Sequence, residues 1–519
     1  MQPEFAQNIM NSLPVVKLDS HKLRDEDIHL PVEIWLEVLS HTDTRTIRSI
    51  SRTCSALRWI AQPLLFKLFV ISLPPLPLLP TIRLDRFSFA NTRARLSVLR
   101  SPHLAYAIEE LRIWQPTAQI SSPSLSLKED SCAILTSPQV NDLTTAIFTA
   151  IPSLKNLRRL VFHDVLFTSE RLKALACLSR LTDLELHSCW TTCPSTSFPN
   201  FSEIPLETLT FDYSYYPTSF FPNPPFLFIS LLLQPATLKH VSTGPTSEII
   251  NAIDTLPTAL PNLTRLEIPL SSLSSPLLLS ALTSCPAVTE LILRTPPGHI
   301  SLPPVTVDLL PAKILPLLNT YRGPRMYGPV FVHGRTLSCI DFTFSCQPDD
   351  LISTIRSFDL DPSCTAHTRT FSCKVQHLNA ETFQAIHTAF PALTNLAISG
   401  AAVDIHALSS MLFNAEEAGH IKTRKDGLKS IQLYVKMGLP RPTLRWRTIG
   451  ARMFLERLVE AYPNLQTARL VCQPDQAVLW QRPPEMHVIG CLEFESEQLW
   501  VEKQEGGGGG CWETVKRKW

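Results

Sequence analysis

One apolar spelling, leucine or a close substitute at the first, fourth and sixth positions of a six-residue stretch, recurs along this chain of 519 residues and leaves few folds open to it. It stands at Leu157, Leu160 and Phe162; at Leu181, Leu184 and Leu186; at Leu206, Leu209 and Phe211; and at Leu263, Leu266 and Ile268. It continues at Val288, Leu291 and Leu293; at Leu337, Ile340 and Phe342; at Leu393, Leu396 and Ile398; and at Leu428, Ile431 and Leu433. Weaker copies begin at Ile108, Leu238 and Leu465. From Leu157 to Val288 the first positions are spaced 24, 25, 32, 25 and 25 residues apart. Beyond Val288 the intervals are 49, 56, 35 and 37, and the first two, near twice the unit, predict divergent copies at Leu318–Tyr321 and near Phe371. A unit this short cannot bury an apolar face alone, so neighbours must stack.

Many copies are entered through a proline, as at Pro152, Pro261, Pro286, Pro391 and Pro463. A proline there ends a helix and sets extended backbone. Stretches between copies, such as Ser169–Leu178 and Ala380–Ala389, have helical spacing. Period and spelling together match the leucine-rich repeat. The expectation is an α/β fold: a leucine-rich-repeat solenoid with a mostly parallel curved sheet over residues 104–500, in about ten to twelve strand-plus-helix units.

Side chains alternate across a strand, so residues between the leucines face the concave surface. These are Arg159, Val161 and His163; Asp183, Glu185 and His187; Thr208, Thr210 and Asp212; Arg265 and Glu267; Glu290 and Ile292. Charge, histidine and short polar groups over one broad face suit an unknown target protein better than a small metabolite. Ordinary solvated strand residues are the alternative for any one of them. His163 and His187 would be neighbours, close enough to share a metal ion, although plain exposed histidines are the commoner outcome.

Composition narrows the remaining classes. Hydrophobic residues make up 44% and charged residues 18%, enough to bury a large core and too little charge for general disorder. A net charge of +1 gives no global pull toward nucleic acid or a membrane surface. Residues 422–457 are the local exception, with ten basic side chains against Asp426 and Glu456, a local +8 able to dock an acidic or phosphorylated partner. Thirteen cysteines without a C-x-x-C pair read as reduced thiols. No basic-then-apolar leader opens the chain, and its apolar runs fall short of the ~20 residues that span a bilayer. No signal peptide, no membrane contact and a cytoplasmic or nuclear location are expected. Motifs for metalloprotease, serine hydrolase, P-loop or dinucleotide chemistry are not found, so neither an enzyme nor a cofactor is expected.

Ahead of the repeats lies a different pattern. Pro31 fits the first position of a helix, and Ile34 with Val38, then Trp35 with Leu39, fall four apart. Asp43 is a suitable N-cap for a second helix through Ile47, Ile50, Cys54 and Leu57; a third apolar stretch, Trp59 to Leu65, is broken by Pro63. Leu30-Pro31 opening a helix, Asp43, and Cys54 some 20 residues on resemble the F-box, over residues 28–72. The resemblance implies a short N-terminal three-helix F-box-like module in which Leu30, Pro31, Ile34, Trp35, Val38 and Leu39 meet a Skp-family adaptor and, through it, a cullin ligase. With repeats following, the order is similar to F-box and leucine-rich-repeat proteins that present substrates to a ubiquitin ligase. A ligase-independent scaffold whose helices only cap the repeats is the alternative. Residues 1–27 are expected as a flexible tail, 73–103 as a linker and first cap, and 501–519 as a flexible Gly-rich tail.

Overall fold

The computed structural model describes residues 31–73, 82–114, 132–135, 137–191, 198–212, 226–244, 248–295, 310–311, 313–358, 365–400, 427–435, 454–455, 458–459, 462–473, 476–482, 499–505 and 511–517. The chain divides into two compact units, Met1–Asn262 and Leu263–Trp519.

The first unit opens with three short helices: α1 (Val32–Ser40), α2 (Thr44–Ile50) and α3 (Ser55–Phe66). The Asp43 carboxylate caps α2, accepting from Thr46 Oγ1 at 2.6 Å, Thr46 N at 3.0 Å and Arg45 N at 2.9 Å, and these bonds, the Thr46 hydroxyl first, hold its pKa below the ordinary value. Leu39, Ile47 and Ala61 form the centre of this bundle, with Ile50, Ile60, Leu64 and Leu65 packed around them. Two details differ from the sequence reading. Cys54 does not continue α2; its thiol caps α3, accepting from Leu57 N at 3.4 Å. Pro63 lies inside α3 without ending it, because Leu64 and Leu65 on either face of that turn still bury against the core.

One residue after α3 the chain enters β1 (Leu68–Ser72), a strand outside the copies read from the sequence. Phe69 and Ile71 turn inward while Leu68 and Val70 stay exposed, so the period has become two. The sheet therefore starts inside the segment assigned to the helical module and ahead of residue 104. It continues in sequence order through β2 (Glu110–Trp114), β3 (Arg159–His163), β4 (Asp183–His187), β5 (Thr208–Asp212) and β6 (His240–Thr243), every neighbouring pair parallel. Behind it, Phe148, Phe162 and Phe167 cluster with ring centroids 5.1–6.2 Å apart. The buried Arg171 guanidinium lies 5.4 Å from the Phe148 ring.

On the outer side of β1 runs α4 (Arg86–Arg100). Thr92 Oγ1 donates to Ser72 O at 2.7 Å and the Arg95 guanidinium donates to Val70 O, so two outward-facing carbonyls of this strand are already engaged. The region expected as linker and first cap thus contains a helix that covers the start of the sheet.

The second unit carries eight parallel strands in sequence order: β7 (Arg265–Pro269), β8 (Glu290–Arg294), β9 (Thr320–Gly323), β10 (Cys339–Cys346), β11 (Thr370–Val375), β12 (Asn395–Gly400), β13 (Ser430–Val435) and β14 (Thr467–Gln473). Strands β9 and β11 are the divergent copies expected at Tyr321 and Phe371. Both units are mixed α/β with leucine-repeat strands whose leucine positions point inward: Leu160, Leu184, Leu209, Leu266, Leu291, Ile340, Leu396 and Ile431 are all buried. Leaving aside the short parallel pair Leu166–Phe167 and Trp190–Thr191, the six strands of the first unit and the eight of the second make fourteen among the described residues, against the ten to twelve units expected. In the second unit aromatic rings replace leucines, and Tyr321, Phe342, Phe371 and Phe390 follow one another at 6.4, 5.6 and 4.7 Å.

After β14 the direction reverses. Strand β15 (Gln476–Gln481) runs antiparallel to it, and β16 (Leu499–Glu505) and β17 (Cys511–Arg517) pair antiparallel with each other, β17 also with β15. These strands fall largely within residues 501–519, the stretch expected as a flexible tail. Trp500, Val501, Trp512, Thr514 and Val515 are strong strand formers, and the five glycines lie between the two strands.

Candidate protein-binding face

Strand register fixes which side chains share a face. In the first unit the parallel pairing aligns three rows. The first holds Leu68, Glu110, Arg159, Asp183, Thr208 and His240; the second Val70, Arg112, Val161, Glu185, Thr210 and Ser242. The third holds Ser72, Trp114, His163, His187 and Asp212. Adjacent members lie ~4.8 Å apart along a row.

The rows are knitted together by charge. Arg112 Nε donates to Glu110 at 2.7 Å; Arg159 donates to Glu185 at 2.6 Å and lies 3.9 Å from Glu110. His187 Nε2 donates to the other Glu185 oxygen at 3.2 Å, and its Nδ1 is 3.8 Å from Asp212. Asp212 and Glu185, on either side of the ring, raise His187 to about 9 against the cost of burial. The His187 hydrogen bond, with Arg159 behind it, brings the Glu185 carboxyl down to about 2. At neutral pH positive and negative groups therefore alternate from Arg159 to Asp212. His163 stacks on His187 with ring centroids 4.4 Å apart and planes within 9°. Burial, and then the charge of His187, push His163 below the ordinary histidine value, so a neutral ring lies on an imidazolium.

Of the residues singled out from sequence, the first unit brings Arg159, His163, Asp183, Glu185 and His187 onto one continuous face. Among the described residues no group of three or more metal-ligating side chains is found. The sequence reading did not bring forward the apolar end of the face, where Leu68, Val70 and Trp114 are exposed, Trp114 by 54%. The weak copy at Ile108 carried the signal for Glu110, Arg112 and Trp114, and the same spelling at Phe66, Phe69 and Ile71, without a leucine, is the signal that could have found Leu68 and Val70.

In the second unit Arg265 and Glu290 are neighbours at 3.6 Å, and Arg322 reaches Glu290 at 3.2 Å. Glu267 is paired with Arg294 and only 6% exposed, so this candidate lies beneath the surface and offers little to a partner. Further along, the rows become small and polar: Thr370, Asn395, Ser430 and Thr467 in the first, Ser372, Ala397, Gln432 and Arg469 in the second. Of the ten basic residues in 422–457 only Lys429 lies among the described residues.

On the helical module, Leu36 and Leu39 face inward, Leu39 fully buried, while Ile34 and Val38 are 46% and 49% exposed. Pro31 is exposed and Trp35 half-buried. Leu39 therefore belongs to the core of the module and not to its outer face; Leu30 lies outside the described residues.

No protein-family model and no curated protein matches the chain. Among solved structures, an internalin from Listeria monocytogenes aligns at 11% identity over 66% of this chain and 91% of its own, with a TM-score of 0.27. The plant peptide hormone receptor RGFR1 in complex with RGF2 aligns at 14% identity over 62% of this chain and 40% of its own, with a TM-score of 0.21. Both likenesses are distant.

Proposed function

We propose that this chain is a non-enzymatic adaptor of the cytoplasm or nucleus, whose helical module docks a Skp-family adaptor of a cullin ubiquitin ligase and whose sheet face holds a target protein. The observation that carries the reading is the division of α1 into two apolar sides. Leu36 and Leu39 close the bundle, and Ile34 and Val38, four residues apart and so on one face, remain outside. A bundle with so small a core gains by burying such a pair against a partner. The sheet supplies the second surface: exposed Leu68, Val70 and Trp114 as apolar anchors, with a rim of alternating charge to set orientation.

The test is co-purification of the full chain with a Skp-family adaptor, beside the variant Ile34→Asp. At a desolvated contact the new carboxylate costs several kcal/mol, on the order of 3, so adaptor recovery should drop at least about tenfold. Equal recovery by both proteins would sink the F-box assignment. One observation favours the scaffold alternative. Helix α3 passes into β1 with a single residue between, Phe66 lies 5.8 Å from Phe69, and Trp59 lies 4.8 Å from His103, so the module also acts as a lid on the first strand. If the unmodified chain recovers no adaptor, the capping role is what remains.

A further inference from the structure

Several cations on the sheet are neutralised by neighbouring acids, and two that are not lie close together where the chain enters the last four parallel strands. The register puts Arg369, Thr394, Lys429 and Gln466 at one equivalent position, immediately before Thr370, Asn395, Ser430 and Thr467. In the first unit the same position holds Glu109, Arg158, Thr182, Glu207 and Lys239, and its acids are paired: Glu109 with Lys67 at 3.0 Å, Glu207 with Lys239 at 2.9 Å. In the second unit Arg369 and Lys429 form no ion pair among the described residues. They line one open pocket together with Thr394, Asn395, Ser430, Gln466 and Thr467, and among the described residues no carboxylate lines it.

The hydrogen bonds inside this pocket leave donors to spare. Thr467 Oγ1 donates to Ser430 Oγ at 2.8 Å, so the Ser430 hydroxyl proton is directed elsewhere. Thr394 Oγ1 donates back to Arg369 O at 3.0 Å, fixing the strand entrance between the two cations. Arg369 and Lys429 are two strands apart, about 10 Å between backbones, a span that two long side chains close on a single tetrahedral anion. A guanidinium fork, an ammonium, a hydroxyl and an amide match the several oxygens and double charge of a phosphoryl group better than one carboxylate.

We infer that this pocket binds a phosphoryl group, borne on a phosphorylated serine or threonine of the protein held by the sheet. The source of the phosphate rests on the target-binding reading above; the anion site itself does not. The experiment therefore begins without any partner. Inorganic phosphate is titrated into the full-length protein, followed by amide shifts of Thr394, Ser430 and Thr467. A short capped peptide containing phosphoserine, and its unphosphorylated form, are titrated in parallel. Saturable shifts confined to these amides are expected, with tighter binding of the phosphopeptide than of phosphate and at least a tenfold weaker affinity in Arg369→Gln/Lys429→Gln. Lys155→Gln, an exposed cation of the other unit, should behave as the parent. Absence of saturation, unchanged affinity in the double variant, or equal affinity for the two peptides overturns the inference. Saturation by phosphate with no gain from the phosphopeptide would assign the site to a small free anion and likewise overturn it. Failure of adaptor co-purification leaves all of these outcomes untouched, so the two ideas fall separately.

Discussion

His187→Gln isolates the charge network of the first unit, because glutamine keeps polarity and approximate length while removing the proton that Glu185 and Asp212 hold. In the folded protein the ring is raised to about 9 from an ordinary 6.5. At about 1.4 kcal/mol per pH unit that difference corresponds to about 3 kcal/mol. The His187 and Glu185 side chains keep 24% and 22% of their surface in water, so screening brings the value down to about 1–2 kcal/mol. The depressed Glu185 reflects the same contact and is not added again. Because the folded pKa is raised, the stabilisation is complete below about pH 6.5 and disappears as pH rises through about 9. Urea unfolding of parent and variant should therefore differ by about 1–2 kcal/mol at pH 6 and converge near pH 10. Histidine-selective NMR should show His187 titrating near 9 and His163 below its ordinary value. A difference that persists undiminished at pH 10, or a His187 titration at or below 6.5, would refute the reasoning.

Three further outcomes follow from packing. Leu39→Ala should destabilise the helical module by about 2–4 kcal/mol, since Leu39 is fully buried, while Ile34→Ala should change stability by less than about 0.5 kcal/mol; similar costs would mean the two faces of α1 have been exchanged. In Gly323→Ala the new methyl would sit 2.8 Å from Tyr321 Oη and 2.9 Å from Leu293 Cβ, a loss of about 1–3 kcal/mol by thermal unfolding, and an unchanged melting temperature would count against the packing described. The buried Arg335 donates to the carbonyls of Phe331, His333, Leu310, Pro311 and Ile314, so Arg335→Met should cost about 3–5 kcal/mol and raise amide exchange across residues 310–335; protection equal to the parent would argue that water replaces the guanidinium at no cost.

The inward half of the fold was legible because burial leaves a periodic trace. Leu160, Leu184 and Leu209 repeat at the interval of the unit, and even Tyr321 and Phe371 keep phase where leucine is replaced. Strand β1 was harder to read: Phe66, Phe69 and Ile71 stand at the first, fourth and sixth positions of the spelling, but Phe66 also ends helix α3 and no leucine occupies any of the three. On α1 apolar residues surround the helix, so spacing alone could not decide whether Leu39 or Ile34 faced inward; the bundle partners Ile47 and Ala61 decide it. The candidate face was legible as a set of positions and illegible as chemistry. That His187 is a cation depends on Glu185 beside it and on Asp212 one strand away, and Glu267 is covered because Arg294 folds over it. Such relations arise from register between strands some 25 residues apart, which the linear order does not display.

The side chains of Thr92 and Arg95, bonded to Ser72 O and Val70 O, bear on how a chain of this kind changes over time. A strand with free carbonyls at its border is a template, and whole molecules joined border to border form fibres. Here two of the outward carbonyls are already taken. A duplication or loss of one strand-and-helix unit further along the sheet leaves this terminus as it was, so the number of units, and with it the width of the exposed face, is open to selection without exposing a new sticky margin.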